Sequence, residues 1–308
     1  MKKVLVIAGP TAAGKSDFAI ELAKKYHANI ISGDSIQVYK GCDIGSGKVT
    51  KEEMDGVKHY LIDILSPKER YTSADFQKMA RKIIDSEDNL SIICGGTGMY
   101  LKSCLYDYTF NDEEGPSTDP KWEKYTNEEL YQFLLERDPK QAKKIHPNNR
   151  RRVMRSLTIF ERSGLKQSDI VASQNHEMIY DTFIVGCTMD REVLYERIRK
   201  RVSKMIDNGL KDEVAKLLES GVTFDDACMQ GIGYKEWKAY FEGDSSIDEI
   251  KEEIIKHSRQ FAKRQYTWFN HQMPVHWFEI LECERKVNMI NQIDAWIKSS
   301  NVHNSFDK

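Results

Sequence analysis

Residues 4–16 read VLVIAGPTAAGKS: an apolar run, a glycine-rich loop and the start of a helical pattern. The loop matches GxxxxGK[ST], in which backbone N–H groups surround phosphate oxygens at the N-terminus of a helix. Lys15 adds a positive charge, and the hydroxyl of Ser16 can ligate Mg2+. Because the motif lies between a predicted strand and a predicted helix, a chance glycine-rich turn is the weaker interpretation. The sequence therefore predicts a phosphate-binding loop, or P-loop.

Short apolar runs alternate with helical patterns through the first hundred residues. Strands are predicted at Val4–Ala8, Ile30–Ser32, Tyr60–Ile64 and Leu90–Cys94, and helices at Lys15–Tyr26 and Ser73–Asp85. This alternation is typical of a parallel sheet that is covered by helices.

The pattern changes after Tyr106, where an acidic segment rich in breakers is followed by helical periodicity to about Gln174. A strand is predicted again at Thr182–Cys187, followed by a long helix at Arg191–Ser220 and a last helix at Ile247–Phe269. The sheet therefore resumes after a helical interruption.

These patterns predict an α/β fold: a P-loop-type parallel sheet core with helices on both faces, interrupted by a helical insertion domain. The predicted bounds are 1–108 for the first part of the core, 109–178 for the insertion and 179–308 for the second part with C-terminal helices. A chain of 308 residues has room for about two such bodies.

Composition and charge exclude some classes of protein. A mean hydropathy of -0.59 with 31% charged residues excludes an integral membrane protein, and 40% hydrophobic residues argue against a mostly disordered chain. The formal net charge is -2, so nucleic acid would have to bind where basic residues are segregated. The six cysteines form no CxxC pair and no signal-peptide pattern is evident, so we expect a cytoplasmic protein without structural zinc.

Two carboxylates are candidates for a site beside the P-loop. Asp34 follows the predicted strand Ile30–Ser32, at the edge where a doubly wound sheet builds its site, although an Asp after a Gly is also a common turn or cap residue. P-loop NTPases usually have a Mg2+-organising Asp at the end of a neighbouring strand, but Leu90–Cys94 leads into GGTG without a carboxylate. Asp63 is the other candidate, with a strand-end polar residue as the favoured interpretation. Because no carboxylate follows Leu90–Cys94, the sequence argues against a nucleotide-hydrolysing function.

Basic residues are grouped at three places. Arg151, Arg152 and Arg155 share a face at helical spacing, and Arg197 and Arg201 are one turn apart, a spacing that could reach a pyrophosphate. The basic residues of the third group are Lys256, Arg259, Lys263 and Arg264. The aromatic residues Tyr266, Trp268 and Phe269 follow them. Basic side chains interleaved with aromatic rings suit nucleic acid. Solvated helix faces and ordinary core aromatics are the alternatives.

Several motifs in one order give the chain a specific resemblance. They are GPTAAGKS (9–16), GDSIQVYKGCDIGSGK (33–48), GGTGMYLKS (95–103), HPNNRRRVMRS (146–156), QGIGYKEW (230–237) and SRQFAKRQYTWF (258–269). With these motifs and the helix that carries Arg197 and Arg201, the sequence closely resembles the bacterial tRNA dimethylallyltransferases, or IPP transferases, over nearly its whole length. Ala13 and Ser16 stand where many members of that family have Ser and Thr, a change that keeps the hydroxyl.

The resemblance implies transfer of the dimethylallyl group of dimethylallyl diphosphate to the exocyclic N6 amine of the adenine 3′ of the anticodon in tRNA. It implies that Asp34 accepts the amine proton, that Thr97 assists, and that Mg2+ is held at Ser16. The implied diphosphate-binding residues are Gly9, Pro10, Thr11, Ala12, Ala13, Gly14, Lys15, Ser16, Arg197 and Arg201. The implied tRNA-binding residues are Asp34, Ser35, Ile36, Gln37, Arg151, Arg152, Arg155, Lys235, Lys263 and Arg264. A monomer without membrane association is expected.

Two other functions are open on the residues alone. A P-loop nucleotide or small-molecule kinase would use Arg197 and Arg201 as lid arginines and Asp34 as the base for an acceptor hydroxyl, and it would need ATP. A non-catalytic RNA-binding protein with an inert P-loop is disfavoured, because the residues with implied catalytic roles are all present.

Overall fold

The structure is a computed structural model that describes residues 1–110, 118–174 and 176–299. Residues 111–117, in the segment rich in breakers, lie outside the described part of the chain. The described strands are β1 (Lys3–Ala8), β2 (Asn29–Ser32), β3 (His59–Tyr60), β4 (Ser91–Cys94), β5 (Asp181–Thr188) and β6 (His276–Glu279). They form one sheet in the order β3-β2-β4-β1-β5-β6, and every neighbouring pair is parallel. The predicted α/β fold with a parallel sheet is confirmed.

Helices make up most of the remaining described chain. They are α1 (Lys15–Tyr26), α2 (Lys51–Met54), α3 (Ser73–Ser86), α4 (Gly98–Leu105), α5 (Asn127–Arg137), α6 (Pro139–Ala142), α7 (Arg150–Ser163), α8 (Gln167–Ala172), α9 (Arg191–Asp207), α10 (Leu210–Glu219), α11 (Trp237–Phe241), α12 (Ile247–Gln272) and α13 (Cys283–Lys298). Two 3-10 helices lie at Pro120–Lys124 and Ala227–Gln230. Among the described residues, no helix is both long and apolar enough to cross a membrane.

Strand β1 lies inside the sheet, between β4 and β5, and is buried on both faces. Leu5 and Ile7 belong to the larger hydrophobic core, whereas Val4 and Val6 belong to the core on the opposite face. A parallel strand with helices on both sides must be apolar at successive positions, not at alternate ones. This requirement explains the continuous apolar run at residues 4–8.

The register of the sheet brings three loops to one edge. Cys94, the last residue of β4, is paired with both Ile7 of β1 and Ser32 of β2. The backbone continues this alignment past the strands, because Gly33 N donates to Cys94 O at 2.8 Å and Gly95 N donates to Ile7 O at 3.1 Å. The loops that follow β1, β2 and β4 therefore leave the sheet side by side.

Residues 107–177 form a compact unit of their own, distinct from the unit that contains the sheet. The described elements of this unit are helices, packed around a small apolar core with Trp122, Leu130, Leu134 and Leu157 among its members. Its helix α5 begins with a capping box, in which Thr126 accepts a hydrogen bond from the Glu129 backbone N–H.

Three sequence-based assignments of elements are wrong in detail. The strand predicted at Tyr60–Ile64 ends at Tyr60, because Leu61 and Asp63 have positive φ angles of 61° and 54°, which no strand can continue. The helix predicted at Arg191–Ser220 is two helices, separated at Gly209 with φ 92°. Helix α12 is not the last element, since β6 and α13 follow it.

Candidate functional site

The backbone of the P-loop is suited to an anion. Ala12 and Gly14 have left-handed φ angles of 64° and 80°, and such residues turn successive N–H groups toward one point. This conformation costs a residue other than glycine about 1–3 kcal/mol, a cost that Ala12 bears where the loop turns its N–H groups inward. The N-cap residue of α1 is Gly14, which has no side chain to cap the first turn, whereas capping boxes begin α3 and α12. The start of α1 therefore offers N–H groups to phosphate oxygens.

Lys15 is half-buried beneath this loop. Its Nζ donates a hydrogen bond of 2.7 Å to the carbonyl of Pro10, within the P-loop itself. Burial lowers the pKa of the Lys15 ammonium, because desolvation disfavours the charged form, while the carboxylate of Asp34 opposes this shift. An anion at the loop would supply the missing counter-charge. Ala13 is fully buried and offers the loop only its backbone.

Two arginines of α9 extend toward the P-loop. Arg197 Nε donates to the carbonyl of Ala12 at 2.9 Å, and Arg201 Nη2 donates to the carbonyl of Ser46 at 3.2 Å. Burial lowers the pKa of Arg201, and the Asp34 carboxylate again opposes the shift. A cavity, here called the mouth cavity, is lined by Gly14, Lys15, Ser16, Arg197, Lys200 and Arg201 among others. Four cationic side chains therefore line this cavity with Ser16, together with the carboxylates of Asp17 and Glu53.

Two further cavities meet at Asp34. The inner cavity is lined by Thr11, Lys15, Ser16, Asp34, Gly96 and Gln265 among others. The outer cavity is lined by Asp34, Thr97, Arg201, Lys235, Phe261 and Arg264 among others. Asp34 and Arg201 belong to both, so a carboxylate and a guanidinium lie where the two cavities adjoin.

The Asp34 side chain has two roles in this geometry. Its Oδ1 accepts hydrogen bonds from the backbone N–H groups of Ile36 at 2.8 Å and Gln37 at 3.3 Å, which is the turn-capping role considered from the sequence. The same carboxylate lines both the inner and the outer cavity. The cap fixes the orientation of the carboxylate, which confirms the capping interpretation, and the carboxylate still faces the two cavities.

Thr97 lies at the N-cap position of α4. A threonine there normally caps the helix with its hydroxyl, yet no such bond is present, and the side chain lines the outer cavity with Asp34. The Thr97 backbone N–H donates to Gly33 O at 3.4 Å, which joins the loop after β4 to the loop after β2. The two residues proposed from the sequence for catalysis are therefore brought to one cavity.

Asp63 lies apart from these cavities. Its carboxylate pairs with the ammonium of Lys48, and its side chain is half-exposed. Within the described ranges, no group of three or more His, Cys, Asp or Glu residues is arranged to hold a metal ion. A metal at the P-loop would therefore take most of its ligands from substrate and water.

The basic residues named from the sequence occupy different environments. Arg151 and Arg152 are exposed on α7, whereas Arg155 is half-buried. Lys235 and Arg264 line the outer cavity with Ser35 and Ile36, while Gln37 lines the inner one. Lys263 instead lines a separate cavity with Tyr195 and Tyr266. Arg264 and Lys263 therefore face different cavities although they are neighbours in sequence.

The aromatic residues of α12 are mostly core residues. Phe269 is fully buried, and the hydroxyl of Tyr266 forms a hydrogen bond of 2.7 Å with Thr188 Oγ1. Arg259 also stays close to the protein, with its guanidinium 4.9 Å from the centre of the Tyr195 ring. The alternative of ordinary core aromatics therefore holds for this stretch.

Sequence reasoning missed two residues of the inner cavity, Phe261 and Gln265. They are four residues apart and so lie on one face of α12, directed at the P-loop. The signal for them lies in SRQFAKRQYTWF, where the i, i+4 spacing of Phe261 and Gln265 indicates one helix face that is distinct from the basic residues between them.

Comparisons with known proteins agree on one family. The family model described as IPP transferase matches residues 37–272. A relative called tRNA dimethylallyltransferase, from Anoxybacillus flavithermus, is 45% identical over 94% of this chain and 95% of its own length. A solved tRNA isopentenylpyrophosphate transferase from Staphylococcus epidermidis is 41% identical, with a TM-score of 0.70, over 96% of this chain and 99% of its own. A eukaryotic dimethylallyltransferase acting on tRNA is 27% identical with a TM-score of 0.81, over 96% of this chain and 80% of its own.

The lowered pKa of Lys15 predicts that anion binding weakens at high pH. A lysine whose pKa is lowered loses its charge at a lower pH than an ordinary lysine, so the P-loop must take up a proton to bind an anion there. We expect the affinity advantage of the unmodified protein over a Lys15→Met variant, for inorganic diphosphate, to shrink as pH rises from about 7 to about 9.5. Titration calorimetry of both proteins would measure it, and an advantage constant across that range would contradict the prediction.

Proposed function

The chain belongs to the IPP transferase family and transfers a dimethylallyl group to tRNA, and we propose that the donor is dimethylallyl diphosphate and the acceptor the N6 amine of the adenine 3′ of the anticodon. The observation that supports this proposal most directly is the position of Asp34. One carboxylate lines both the cavity beside the P-loop and the cavity lined by Thr97, Lys235 and Arg264. A donor at the P-loop and a base in the outer cavity would meet at that carboxylate.

The P-loop would hold the diphosphate of the donor as a leaving group. The N–H groups at the start of α1, the ammonium of Lys15 and the guanidinium groups of Arg197 and Arg201 surround the mouth cavity. As the carbon–oxygen bond breaks, negative charge builds up on the diphosphate, and fixed donors placed there stabilise it more than they stabilise the bound donor. These groups would therefore lower the barrier to transfer.

The residues at the mouth cavity fit a Mg2+ ion bound with the diphosphate. Ser16 presents a hydroxyl between the inner and mouth cavities, and Mg2+ usually keeps several waters and binds through substrate phosphates with few protein ligands. When bound, the ion would neutralise charge on the leaving group. Ser16 is the residue of this chain that would hold it.

Asp34 would act as the proton acceptor. The adenine amine is a weak nucleophile because its lone pair is delocalised into the ring, so accepting its proton as the new bond forms raises its reactivity. A carbon–nitrogen bond forms, the carbon–oxygen bond to diphosphate breaks, and the amine proton goes to the carboxylate. Thr97, beside Asp34 in the outer cavity, would help to hold the amine. The hydrogen bonds that fix Asp34 Oδ1 would keep the carboxylate in place during transfer.

The tRNA would be bound by residues around the outer cavity and by the exposed arginines. Ser35, Ile36, Lys235 and Arg264 line this cavity, and a target base must leave the stack of the anticodon loop to enter it. In the helical unit, Arg151, Arg152 and Arg155 would contact the phosphate backbone, as would Lys263 on α12. Gln37, which lines the inner cavity, would contact the base that enters the site. A cytoplasmic monomer is the proposed working form.

The direct test incubates the protein with Mg2+, dimethylallyl diphosphate and an anticodon stem-loop that carries adenine 3′ of the anticodon, and then weighs the RNA by mass spectrometry. We expect a mass gain of one five-carbon unit that requires the prenyl donor. A parallel reaction contains ATP in place of the donor. A folded protein that consumes ATP and leaves the RNA mass unchanged with the donor would favour the kinase interpretation instead.

Replacement of the proposed base should remove transfer without removing the fold. In an Asp34→Asn variant the amide oxygen can still cap Ile36 and Gln37, but it cannot accept a proton, so kcat should fall by about 10²-fold or more. RNA affinity, measured by fluorescence anisotropy, should stay within a few-fold. Asp63→Asn is the matched control, because that carboxylate lies outside the cavities and its loss should leave kcat unchanged. An undiminished kcat for Asp34→Asn would exclude the proton-accepting role.

A phosphate contact from Arg152 should appear in the salt dependence of RNA binding. Each lost phosphate contact reduces the slope of log affinity against log salt by about one. We expect this reduction for Arg152→Ala, whose side chain is exposed, and no reduction for Lys298→Ala, an exposed cation on α13. Anisotropy titrations over a range of KCl would compare the slopes. Equal slopes for the unmodified protein and both variants would show that Arg152 makes no phosphate contact and lies on a solvated helix face.

A further inference from the structure

Gln265 joins the two loops that the proposed reaction needs. Its side chain is buried, with 5% exposed, and lies on α12 against the inner cavity. Oε1 accepts a hydrogen bond of 3.0 Å from the backbone N–H of Thr11 in the P-loop. Nε2 donates a hydrogen bond of 3.0 Å to the carbonyl of Gly96, next to Thr97. One amide thus contacts the loop of the leaving group and the loop of the proposed catalytic threonine.

The loop after β4 is shaped to allow this contact. A Cβ at Gly96 would collide with Gln265 Nε2, and a Cβ at Gly98 would collide with the ring of Trp268. Gln265 and Trp268 are three residues apart on α12, so one face of that helix presses on the loop at two points. Gly96 and Gly98 of GGTG therefore serve the close approach of α12, a role that the sequence alone did not suggest.

The chemistry of Gln265 is specific to an amide. Thr11 N–H is a donor and Gly96 C=O is an acceptor, so a side chain that serves both must donate and accept at its tip. An apolar residue of the same length would leave both backbone groups without this partner, and a carboxylate would meet the Gly96 carbonyl with repulsion. Asparagine is one methylene shorter and cannot span the same two positions from the same helix.

We infer that Gln265 is a positioning residue that sets the separation between the P-loop and Thr97. The inference rests on the proposed function, because that separation matters only where a donor on the P-loop meets an acceptor beside Asp34 and Thr97. The Thr11 backbone N–H donates to Gln265 and is therefore not free to donate to an anion at the P-loop. The same helix carries Phe261 and Arg264 on the wall of the outer cavity, so the helix that would contact tRNA also holds the donor loop in register.

The inference predicts a defect in transfer and not in binding. In Gln265→Met the helix keeps a side chain of similar length, but the two loops lose their common partner. A misplacement of about 1 Å between reacting groups can cost about 10²-fold in rate. We expect kcat to fall by about 10²-fold while KM for dimethylallyl diphosphate and Kd for the stem-loop stay within about threefold.

A Gln265→Glu variant separates positioning from simple loss of structure. A protonated carboxyl can both donate and accept, whereas the carboxylate can only accept. The ratio of kcat in Gln265→Glu to kcat in the unmodified protein should therefore rise as pH falls from about 8 to about 6, because burial favours the protonated acid. Gln265→Met should show no such rise. Gln260→Met, at an exposed position of α12, is the control and should retain full kcat.

The outcomes distinguish this inference from the function on which it rests. An unmodified protein that does not modify the stem-loop would overturn the proposed function itself. Transfer by the unmodified protein with an unchanged kcat in Gln265→Met would overturn only the positioning role. A loss confined to thermal stability, with normal kcat in the folded fraction and a pH-independent ratio in Gln265→Glu, would assign Gln265 to structure alone.

Discussion

The alignment of three strand ends at one edge of the sheet is the constraint on which the rest of the site depends. Because Cys94 is in register with both Ile7 and Ser32, the P-loop, the Asp34 loop and the GGTG loop leave the sheet as neighbours. The P-loop contributes N–H donors, the ammonium of Lys15 and the hydroxyl of Ser16, the second loop contributes the carboxylate of Asp34, and the third contributes the hydroxyl of Thr97. A shift in register would separate these groups.

Two long helices complete the site from outside the sheet. Helix α9 packs on α12, and each directs one face toward the loops. Arg197 and Arg201 of α9 bring positive charge to the P-loop, whereas Phe261 and Gln265 of α12 close the inner cavity. These two helices also exclude water from Lys15 and Arg201. The resulting desolvation lowers the pKa of both side chains. Such a site would favour a polyanion, because the anion would supply counter-charge to cations that desolvation has made costly.

The motifs predicted from the sequence correspond to the parts of the site that are local in the chain. The loop at residues 9–16 turns its backbone N–H groups toward one point, and α1 begins at Lys15, as the GxxxxGK[ST] pattern requires. The place of Asp34 after β2 and of Thr97 after β4 follows from the alternation of strands and helices. By contrast, the end of β3 before Asp63 and the break between α9 and α10 at Gly209 depend on single residues with positive φ. A pattern of apolar residues does not indicate such backbone angles.

The sequence by itself determined the α/β fold, the P-loop and the family, because a continuous apolar strand, a glycine-rich turn and several ordered motifs are encoded in short segments. Only the tertiary structure decided which of those segments meet. Gln265 and Gly96 are 169 positions apart, and the neighbours Lys263 and Arg264 line different cavities. The physical reason is that such contacts depend on how helices pack across the sheet, a matter of shape and close approach between distant backbones that no local pattern of residue types contains.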